Sequence, residues 1–168
     1  MCLLFQDISQ GRARVDSHLD VPRVSASRSE LNRHDFLPFE ALKNISMGMT
    51  AHIVFEAIDP VNPATTSSEV MRIIRREIGF DGLIMTDDIS MEALSGSVAS
   101  RADAAISAGC DVVLHCNARQ QEMMDIATAA GRMAVASVSR AEIALLGRLP
   151  PSPIDISACA AELGALLA

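Results

Sequence analysis

Near its middle the chain reads Gly79-Phe80-Asp81-Gly82-Leu83-Ile84-Met85-Thr86-Asp87-Asp88-Ile89-Ser90-Met91, and this stretch decides its fold. A turn and a short apolar strand, Leu83 to Met85, are followed at once by two carboxylates. A continuous apolar run between helical patterns is typical of a parallel strand covered on both faces. The carboxyl end of such a strand is where α/β folds place their chemistry, so Asp87 and Asp88 are candidates for catalysis. The alternative is that Thr86 and Asp87 begin and cap the next helix and that Asp88 is solvated.

The composition indicates one domain with a mainly aliphatic core. The chain has 168 residues, of which 49% are hydrophobic, with five Phe and no Trp or Tyr. A net charge of −7 argues against a nucleic-acid surface. No apolar run is long enough to cross a membrane, and the apolar start lacks the basic residues of a signal peptide. We therefore expect neither nucleic acid nor a membrane as a partner.

Strand and helix patterns alternate along the chain. Besides the strand at 83–85, apolar runs predict strands at 45–52 and 112–114. Helical spacing and capping residues predict helices over 29–42, 68–78, 98–107, 119–130, 139–147 and 158–167. This alternation predicts an α/β fold with parallel pairing, but three or four strands cannot close an eight-stranded barrel. The arginines Arg72, Arg75 and Arg76 are expected on a solvated helix face.

Two further places carry groups that can do chemistry. Asp16-Ser17-His18 lies in a loop, where positions i and i+2 can point the same way and a carboxylate can hold an imidazole. The alternative is a surface loop in which both groups are solvated. His52 follows a strand and either faces a ligand or is a hydrogen-bonded structural histidine.

The cysteines give no metal signal. Cys2, Cys110, Cys116 and Cys159 lack the spacing of a metal site. Cys110 and Cys116 flank an apolar strand, so we expect both to be core thiols. Unpaired thiols fit a reducing compartment, so we predict a cytoplasmic protein.

The central stretch resembles the nucleophile strand of glycoside hydrolase family 3, and within it the bacterial β-N-acetylglucosaminidases of peptidoglycan recycling. Three other segments agree with that family in the same order: Gly11-Arg12-Ala13-Arg14-Val15-Asp16-Ser17-His18 with Pro22, Met49-Thr50-Ala51-His52-Ile53-Val54, and Ala108-Gly109-Cys110-Asp111-Val112-Val113-Leu114-His115-Cys116-Asn117. One such block is a weak signal, whereas four ordered blocks are a strong one.

The resemblance implies a partial (β/α)8 TIM-type barrel of about the last three to four β/α units, with extra C-terminal helices. It divides the chain into a leader at 1–10 outside the family pattern, the C-terminal part of the barrel at 11–148, and a linker with a terminal helix at 149–168. The family carries a substrate-binding Lys-His motif before Gly11, and here only Gly11 matches it. A shifted reading frame, a misplaced start codon or a true truncation would each give this pattern.

The resemblance also implies a retaining mechanism. Asp87 would be the nucleophile, and His18, oriented by Asp16, would be the general acid and base. His52 would border the sugar. The implied substrate is a terminal β-linked N-acetylglucosamine on a small carbohydrate or muropeptide, with no metal and no organic cofactor.

The same residues leave other functions open. We expect the chain alone to be weakly active or inactive, because sugar contacts of the family are missing from it. The alternative is a non-catalytic barrel fragment or interaction module, which could self-associate through an open barrel edge. A phosphate-binding α/β enzyme is disfavoured, because no Gly-rich loop follows a predicted strand.

Overall fold

The computed structural model describes residues 2–4, as backbone, and residues 21–116, 119–150 and 153–167. The strands of these residues are β1 (Cys2–Leu4), β2 (Arg23–Val24), β3 (Met47–Met49), β4 (Val54–Phe55), β5 (Leu83–Asp88) and β6 (Val112–Leu114). Four of them form a parallel sheet in the order β1-β3-β5-β6, and β2 pairs with β4, also in parallel. The predicted α/β fold with parallel pairing is confirmed, and the described strands form no closed barrel.

The helices of the described residues are α1 (Arg28–Glu30), α2 (Leu37–Ala41), α3 (Ser68–Arg72), α4 (Val98–Ala108), α5 (Gln120–Ala130), α6 (Val135–Leu146) and α7 (Ile156–Leu166). Two wider π-helical turns extend α1 over Leu31–Asp35 and α3 over Ile73–Ile78. A 3-10 turn, Ala64–Thr66, precedes α3.

Local sequence signals explain most of the helix ends. Ser27 caps α1 in a reciprocal capping box with Glu30, and Ser67 caps α3. Ser97 does the same for α4. Gly79 ends the turn after α3 with φ of 78°, a left-handed conformation that a residue with a Cβ adopts only at a cost.

The boundaries differ from the sequence prediction in three places. Of the strand predicted at 45–52, only Met47–Met49 have strand geometry, because the side chains of Thr50 and His52 turn inward to a buried polar network. The central strand is longer than predicted and runs through Asp88, since its polar end still pairs with β6. Helix α6 begins at Val135 rather than 139, and its first residue follows Ala134, which has no side chain to cap a helix.

The core lies between the sheet and helices α1 to α4. It is built mainly of aliphatic side chains, as expected, with Leu31, Ile53 and Ile84 almost fully buried. Four of the five phenylalanines also lie in it, namely Phe36, Phe39, Phe55 and Phe80. Their large apolar rings compensate for the absence of Trp and Tyr.

A polar clasp centred on Asp111 ties together the amino-terminal ends of the two neighbouring strands β5 and β6. Its Oδ2 accepts hydrogen bonds from Arg75 Nη2 at 2.6 Å and from the backbone N of Ile84 at 2.8 Å. Its Oδ1 accepts from Ser137 Oγ at 2.6 Å and from Arg140 Nη1 at 3.0 Å. One carboxylate therefore joins both strands to helix α6 and to the π-helical turn after α3.

Arg75 corrects the prediction of a solvated arginine face. Its side chain is only 18% exposed, and Nη1 donates to the backbone oxygens of Phe80 and Gly82. Arg72, by contrast, is exposed and pairs with Glu69 and Glu77. Helical spacing identified the surface of α3 but not the extra residue of the π-helical turn, which directs Arg75 toward the sheet.

No helix among the described residues is long and apolar enough to cross a membrane.

Gly82 is required by a close approach, and its replacement should destabilise the protein. A Cβ at this position would lie 2.7 Å from the backbone oxygen of Ile45 and 2.6 Å from the ring of Phe80. We expect Gly82→Ala to lower the free energy of unfolding by about 2 kcal/mol, because backbone cannot move aside cheaply. Gly164→Ala is the control: a Cβ there meets nothing within 4 Å inside helix α7, so stability should be unchanged or rise by about 0.5 kcal/mol. Equal midpoints for both variants in urea unfolding would contradict this account.

Removing the carboxylate of the clasp should cost stability and weaken its pH dependence. Burial acts to raise the pKa of Asp111, but the hydrogen bonds from Ile84 and Ser137 and the two guanidinium groups outweigh it and lower the pKa. The stabilisation is thus complete above the unfolded pKa, about 4, and is lost as pH falls through the lower folded value. We expect Asp111→Asn to lower the free energy of unfolding at neutral pH by about 3 kcal/mol and to lose less on acidification than wild type. Asp125→Asn, at an exposed carboxylate of α5, is the control in acid titration followed by circular dichroism.

Candidate functional site

The carboxyl end of β5 is shaped by an irregularity in its pairing with β6. Met85 pairs with Val112 and Asp88 pairs with Leu114, so β5 carries an extra residue between the two pairs. The side chain of Thr86 fills the gap, because its Oγ1 accepts a hydrogen bond from the backbone N of Leu114 at 2.9 Å. Asp87 and Asp88 are therefore part of the strand, and the interpretation of Thr86 and Asp87 as the start of a helix is wrong.

The two carboxylate oxygens of Asp87 differ in their hydrogen bonds to the described residues. Its Oδ1 accepts a hydrogen bond from the backbone N of Asp88 at 2.8 Å. Its Oδ2 is buried and has no hydrogen-bond partner among the described residues. A buried oxygen of this kind is costly, and it is the arrangement expected of a group that interacts with a ligand or a reacting atom.

Asp88 has the opposite environment and is fully engaged. Its carboxylate accepts hydrogen bonds from the backbone N and Oγ of Ser90 at 3.0 and 2.7 Å, and from the backbone N of Cys116 at 3.2 Å. Burial acts to raise the pKa of Asp88, but these donors together with His115 outweigh it and lower the pKa to about 2. Asp88 is thus an ionised support that holds the loop after β5 against the end of β6.

His52 binds the same strand from the other side. The ring is 1% exposed, and its Nε2 lies 3.0 Å from the backbone oxygen of Asp88, which can only accept, so Nε2 carries the proton. Burial lowers the pKa of His52 and favours the neutral ring. Its Nδ1 lies 2.8 Å from Thr65 Oγ1, whose hydroxyl also donates to the backbone oxygen of Ala51 at 3.0 Å. Both ring nitrogens are engaged, which is the geometry of the structural histidine that the sequence left as an alternative. The predicted contact with a sugar stays a prediction, and it would require one of these bonds to break.

His115 is a site residue that the sequence analysis did not single out. Its side chain is 9% exposed, and Nδ1 lies 3.3 Å from Asp88 Oδ1. Its Nε2 is buried, has no hydrogen bond to the described residues, and lies 3.7 Å from Glu122 Oε2. The available signal was its place directly after β6, because the carboxyl ends of adjacent parallel strands meet at one edge of the sheet.

The other predicted catalytic residues lie outside the described residues. Asp16 and His18 belong to the segment 5–20, so their position relative to Asp87 stays a prediction. Among the described residues no cluster of His, Cys, Asp and Glu has the arrangement of a metal site.

The cysteine prediction is half right. Cys110 is buried, and burial raises the pKa of its thiol to about 12. Cys116 is exposed and is not a core thiol. Strand β6 ends at Leu114, so Cys116 already lies in the loop beyond the sheet.

The two adjacent acids should respond oppositely to loss of charge. Asp88→Asn removes an ionised acceptor of several hydrogen bonds, so we expect the free energy of unfolding to fall by about 2 kcal/mol. Asp87→Asn removes a buried charge whose Oδ2 has no donor in the described part of the chain, so stability should stay equal or increase. Thermal and urea unfolding of both variants measure the difference, and a larger loss for Asp87→Asn would refute the assigned environments.

Comparisons with known proteins agree with the fold. The protein family described as "Glycosyl hydrolase family 3 N terminal domain" matches this chain over residues 8–144. A beta-hexosaminidase of Alkalilimnicola ehrlichii is 42% identical over 112 residues, covering 64% of this chain and 32% of the relative. A beta-hexosaminidase of Pseudomonas aeruginosa is 34% identical over 142 residues, covering 83% of this chain and 40% of the relative. The chain thus spans less than half the length of the curated relatives it matches.

Solved structures give the same result. A glycoside hydrolase family 3 beta-N-acetylglucosaminidase from Paenibacillus sp. superposes with a TM-score of 0.74 at 28% identity, over 90% of this chain and 32% of that one. NagZ from Neisseria gonorrhoeae, solved in complex with N-trifluoroacetyl-D-glucosamine, superposes with a TM-score of 0.65 at 33% identity, over 76% of this chain and 38% of that one.

Proposed function

Because this chain belongs to glycosyl hydrolase family 3, we propose that it carries the nucleophile half of a retaining β-N-acetylhexosaminidase site. The proposed reaction is hydrolysis of terminal β-linked N-acetylglucosamine from peptidoglycan fragments. The single observation that carries the proposal is the Asp87 carboxylate, at the carboxyl end of a parallel strand, with Oδ2 buried and unpartnered among the described residues. The names of the relatives support the substrate class, since they are beta-hexosaminidases and a beta-N-acetylglucosaminidase.

Asp87 is the proposed nucleophile. Its Oδ2 attacks the anomeric carbon as the bond to the leaving oxygen breaks, which gives a covalent glycosyl-enzyme ester. His18, oriented by Asp16, donates the proton to the leaving oxygen and then takes a proton from the water that hydrolyses the ester. Two displacements at one carbon retain the β configuration, and the reaction needs no metal or organic cofactor.

The neighbours of Asp87 act as positioning residues in this proposal. The backbone N–H of Asp88 holds Asp87 Oδ1, so the other oxygen is fixed in direction. Asp88 is held in turn at two places. His52 donates to its carbonyl oxygen, and the backbone N–H groups of Ser90 and Cys116 donate to its carboxylate. Such support is what keeps a reacting atom within a fraction of an ångström of its productive place.

We propose that the sheet is part of a (β/α)8 barrel, with 11–148 as the C-terminal part of that barrel, 1–10 as a leader and 149–168 as a linker and terminal helix. The parallel order β1-β3-β5-β6 and the superposition on about a third of each relative support this. Strand β1 pairs with β3 in register, so part of the leader contributes to the sheet. A cytoplasmic location remains our proposal from the unpaired thiols.

We expect these 168 residues alone to turn over substrate weakly or not at all. Four parallel strands leave edges that a closed barrel would pair, and loops from further strands would supply most sugar contacts. The loss of several such contacts, each worth about 2–4 kcal/mol, removes most of the transition-state stabilisation. Hydrolysis of a chromogenic N-acetylglucosaminide at rates close to those of the full-length relatives would contradict this expectation.

The nucleophile can be tested even at a low rate. Incubation with an activated fluorinated N-acetylglucosaminide should trap the glycosyl-enzyme, and peptide mass spectrometry should place the adduct on Asp87. Asp87→Asn should abolish both the adduct and residual turnover, by about 1,000-fold or more, whereas Asp125→Asn should leave both unchanged. An adduct on another carboxylate, or full turnover by Asp87→Asn, would refute the assignment.

The second candidate function is a non-catalytic interaction module, which the sequence left open. It is favoured by the edge strand β6 and by the apolar side chains exposed on α6 and α7. Absence of both adduct and turnover in a folded, self-associating protein would favour it.

A further inference from the structure

The last two helices, together with the residues that flank them, carry most of the exposed large apolar side chains. Of the seventeen large hydrophobic side chains that are exposed among the described residues, twelve lie between Met133 and Leu167. Helix α7 has no buried residue, and it lies beyond residue 144, where the family match ends. Apolar side chains concentrated in one part of a surface mark an interaction site more often than side chains scattered singly, so a partner surface is expected.

Helix α6 has two opposite faces. One face is attached to the sheet: Ser137 and Arg140 bond to Asp111, and Ala144 is partly buried beside them. At 100° per residue, Val135 and Leu146 lie on the opposite face, 88% and 84% exposed. Val138 and Leu145 flank them in the same stripe, and Glu142 lies in its middle. The polar clasp thus holds α6 so that its apolar stripe faces away from the sheet.

We propose that this stripe is an interface with a second copy of the chain, in which the α6 helices of two copies pack antiparallel across a two-fold axis. A two-fold axis pairs position i with position j of the second copy and j with i. Centred on the helix, it sets Val135 against the second copy's Leu146. The same register sets Ser139 beside the second copy's Glu142, so the carboxylate in the middle of the stripe meets a hydroxyl donor.

The position of Glu142 favours a second copy over closure within one chain. Helix α7 could fold back on α6 through the linker 147–155, and it has an apolar stripe of its own, formed by Ile156, Cys159, Ala160 and Leu163. In that hairpin Glu142 would face Cys159 and Ala160, with no donor for its carboxylate. Burial of an unpaired charge is costly, whereas the two-fold pair supplies a partner.

The exposed area also fits a dimer. Fully burying a Val, Leu or Ile side chain removes roughly 60–120 Å² from water, so the four of the α6 stripe supply roughly 240–480 Å² per copy. A stable interface needs about 800 Å² per partner. The four largest apolar side chains of α7, Ile156, Leu163, Leu166 and Leu167, bring the total into that range. Helix α7 therefore packs along the flank of the α6 pair.

Sedimentation velocity of the full chain across a range of concentrations tests the interface. We expect wild type to sediment as a dimer of twice the 17.9 kDa chain mass. Because of the two-fold symmetry, Leu146→Glu places two charged side chains in the interface, one from each copy. It should raise the dissociation constant about a hundredfold. Val61→Glu, at a 76% exposed valine far from α6 in the chain, is the matched control and should stay dimeric. Circular dichroism should be unchanged in both variants, because both side chains are exposed. The unfolding midpoint of Leu146→Glu should match that of wild type only at concentrations where wild type is also monomeric, since dimerisation itself raises the midpoint.

The register has a test of its own. Ser139→Glu sets like charges against Glu142 of the second copy and should dissociate the dimer, whereas Ser139→Lys should maintain or tighten it. A monomeric wild type would overturn the proposal and indicate the hairpin. A dimer that survives Leu146→Glu would overturn it too, and would indicate association through another surface such as the β6 edge. Equal effects of the two Ser139 variants would refute the register.

Discussion

The Asp111 carboxylate is the interaction on which the rest of the structure depends. It lies directly before β6, accepts the backbone N–H of Ile84 in β5, and binds one arginine from the turn after α3 and another from α6. Because it joins the amino-terminal ends of both strands, it sets the register in which their carboxyl ends meet. The same carboxylate orients α6, so a single buried charge determines both the place of Asp87 and the direction of the exposed apolar stripe. A buried charge is tolerated here because each of its oxygens has two donors.

Two adjacent carboxylates at the end of β5 acquire different properties from their surroundings. Asp88 receives donors from its own loop and from the end of β6, so its charge is stabilised and its role is structural. Among the residues that the structure describes, Asp87 receives one donor, the backbone N–H of Asp88, at one of its two oxygens. The uneven distribution of donors fits the trade-off between stability and activity, in which a reactive group is left under-satisfied by a well-satisfied neighbour.

Much of the fold was predictable from local sequence. The serine caps before α3 and α4, the stop at Gly79 and the apolar strands at 83–85 and 112–114 all follow from short-range chemistry. Asp87 could be singled out as a candidate site residue, because it follows the apolar part of β5 closely, and its role as nucleophile stays a prediction. The two-residue strands β2 and β4 were not, since so short a run has no period.

Contacts distant in sequence could not be predicted. The bond from His52 to the Asp88 carbonyl spans 36 residues, and the pair of His115 with Asp88 spans 27. These contacts depend on which strands lie side by side, and that order is a property of the whole sheet. The contact of Arg75 with Asp111 in the polar clasp was missed for a related reason. Helical spacing assumes 3.6 residues per turn, and the turn after α3 is wider.

That wider turn, Ile73–Ile78, has a consequence for how this helix can vary in length. A π-helical segment holds one residue more than the α-helix it interrupts, so deletion of a single residue there would restore regular winding without shortening the connection to Gly79. The deletion would, however, remove the extra residue that directs Arg75 toward the sheet. Arg75 and the apolar positions Ile73 and Ile78 could then no longer all face the sheet together. The contact of Arg75 with Asp111 therefore depends on the number of residues in this turn as well as on their identity.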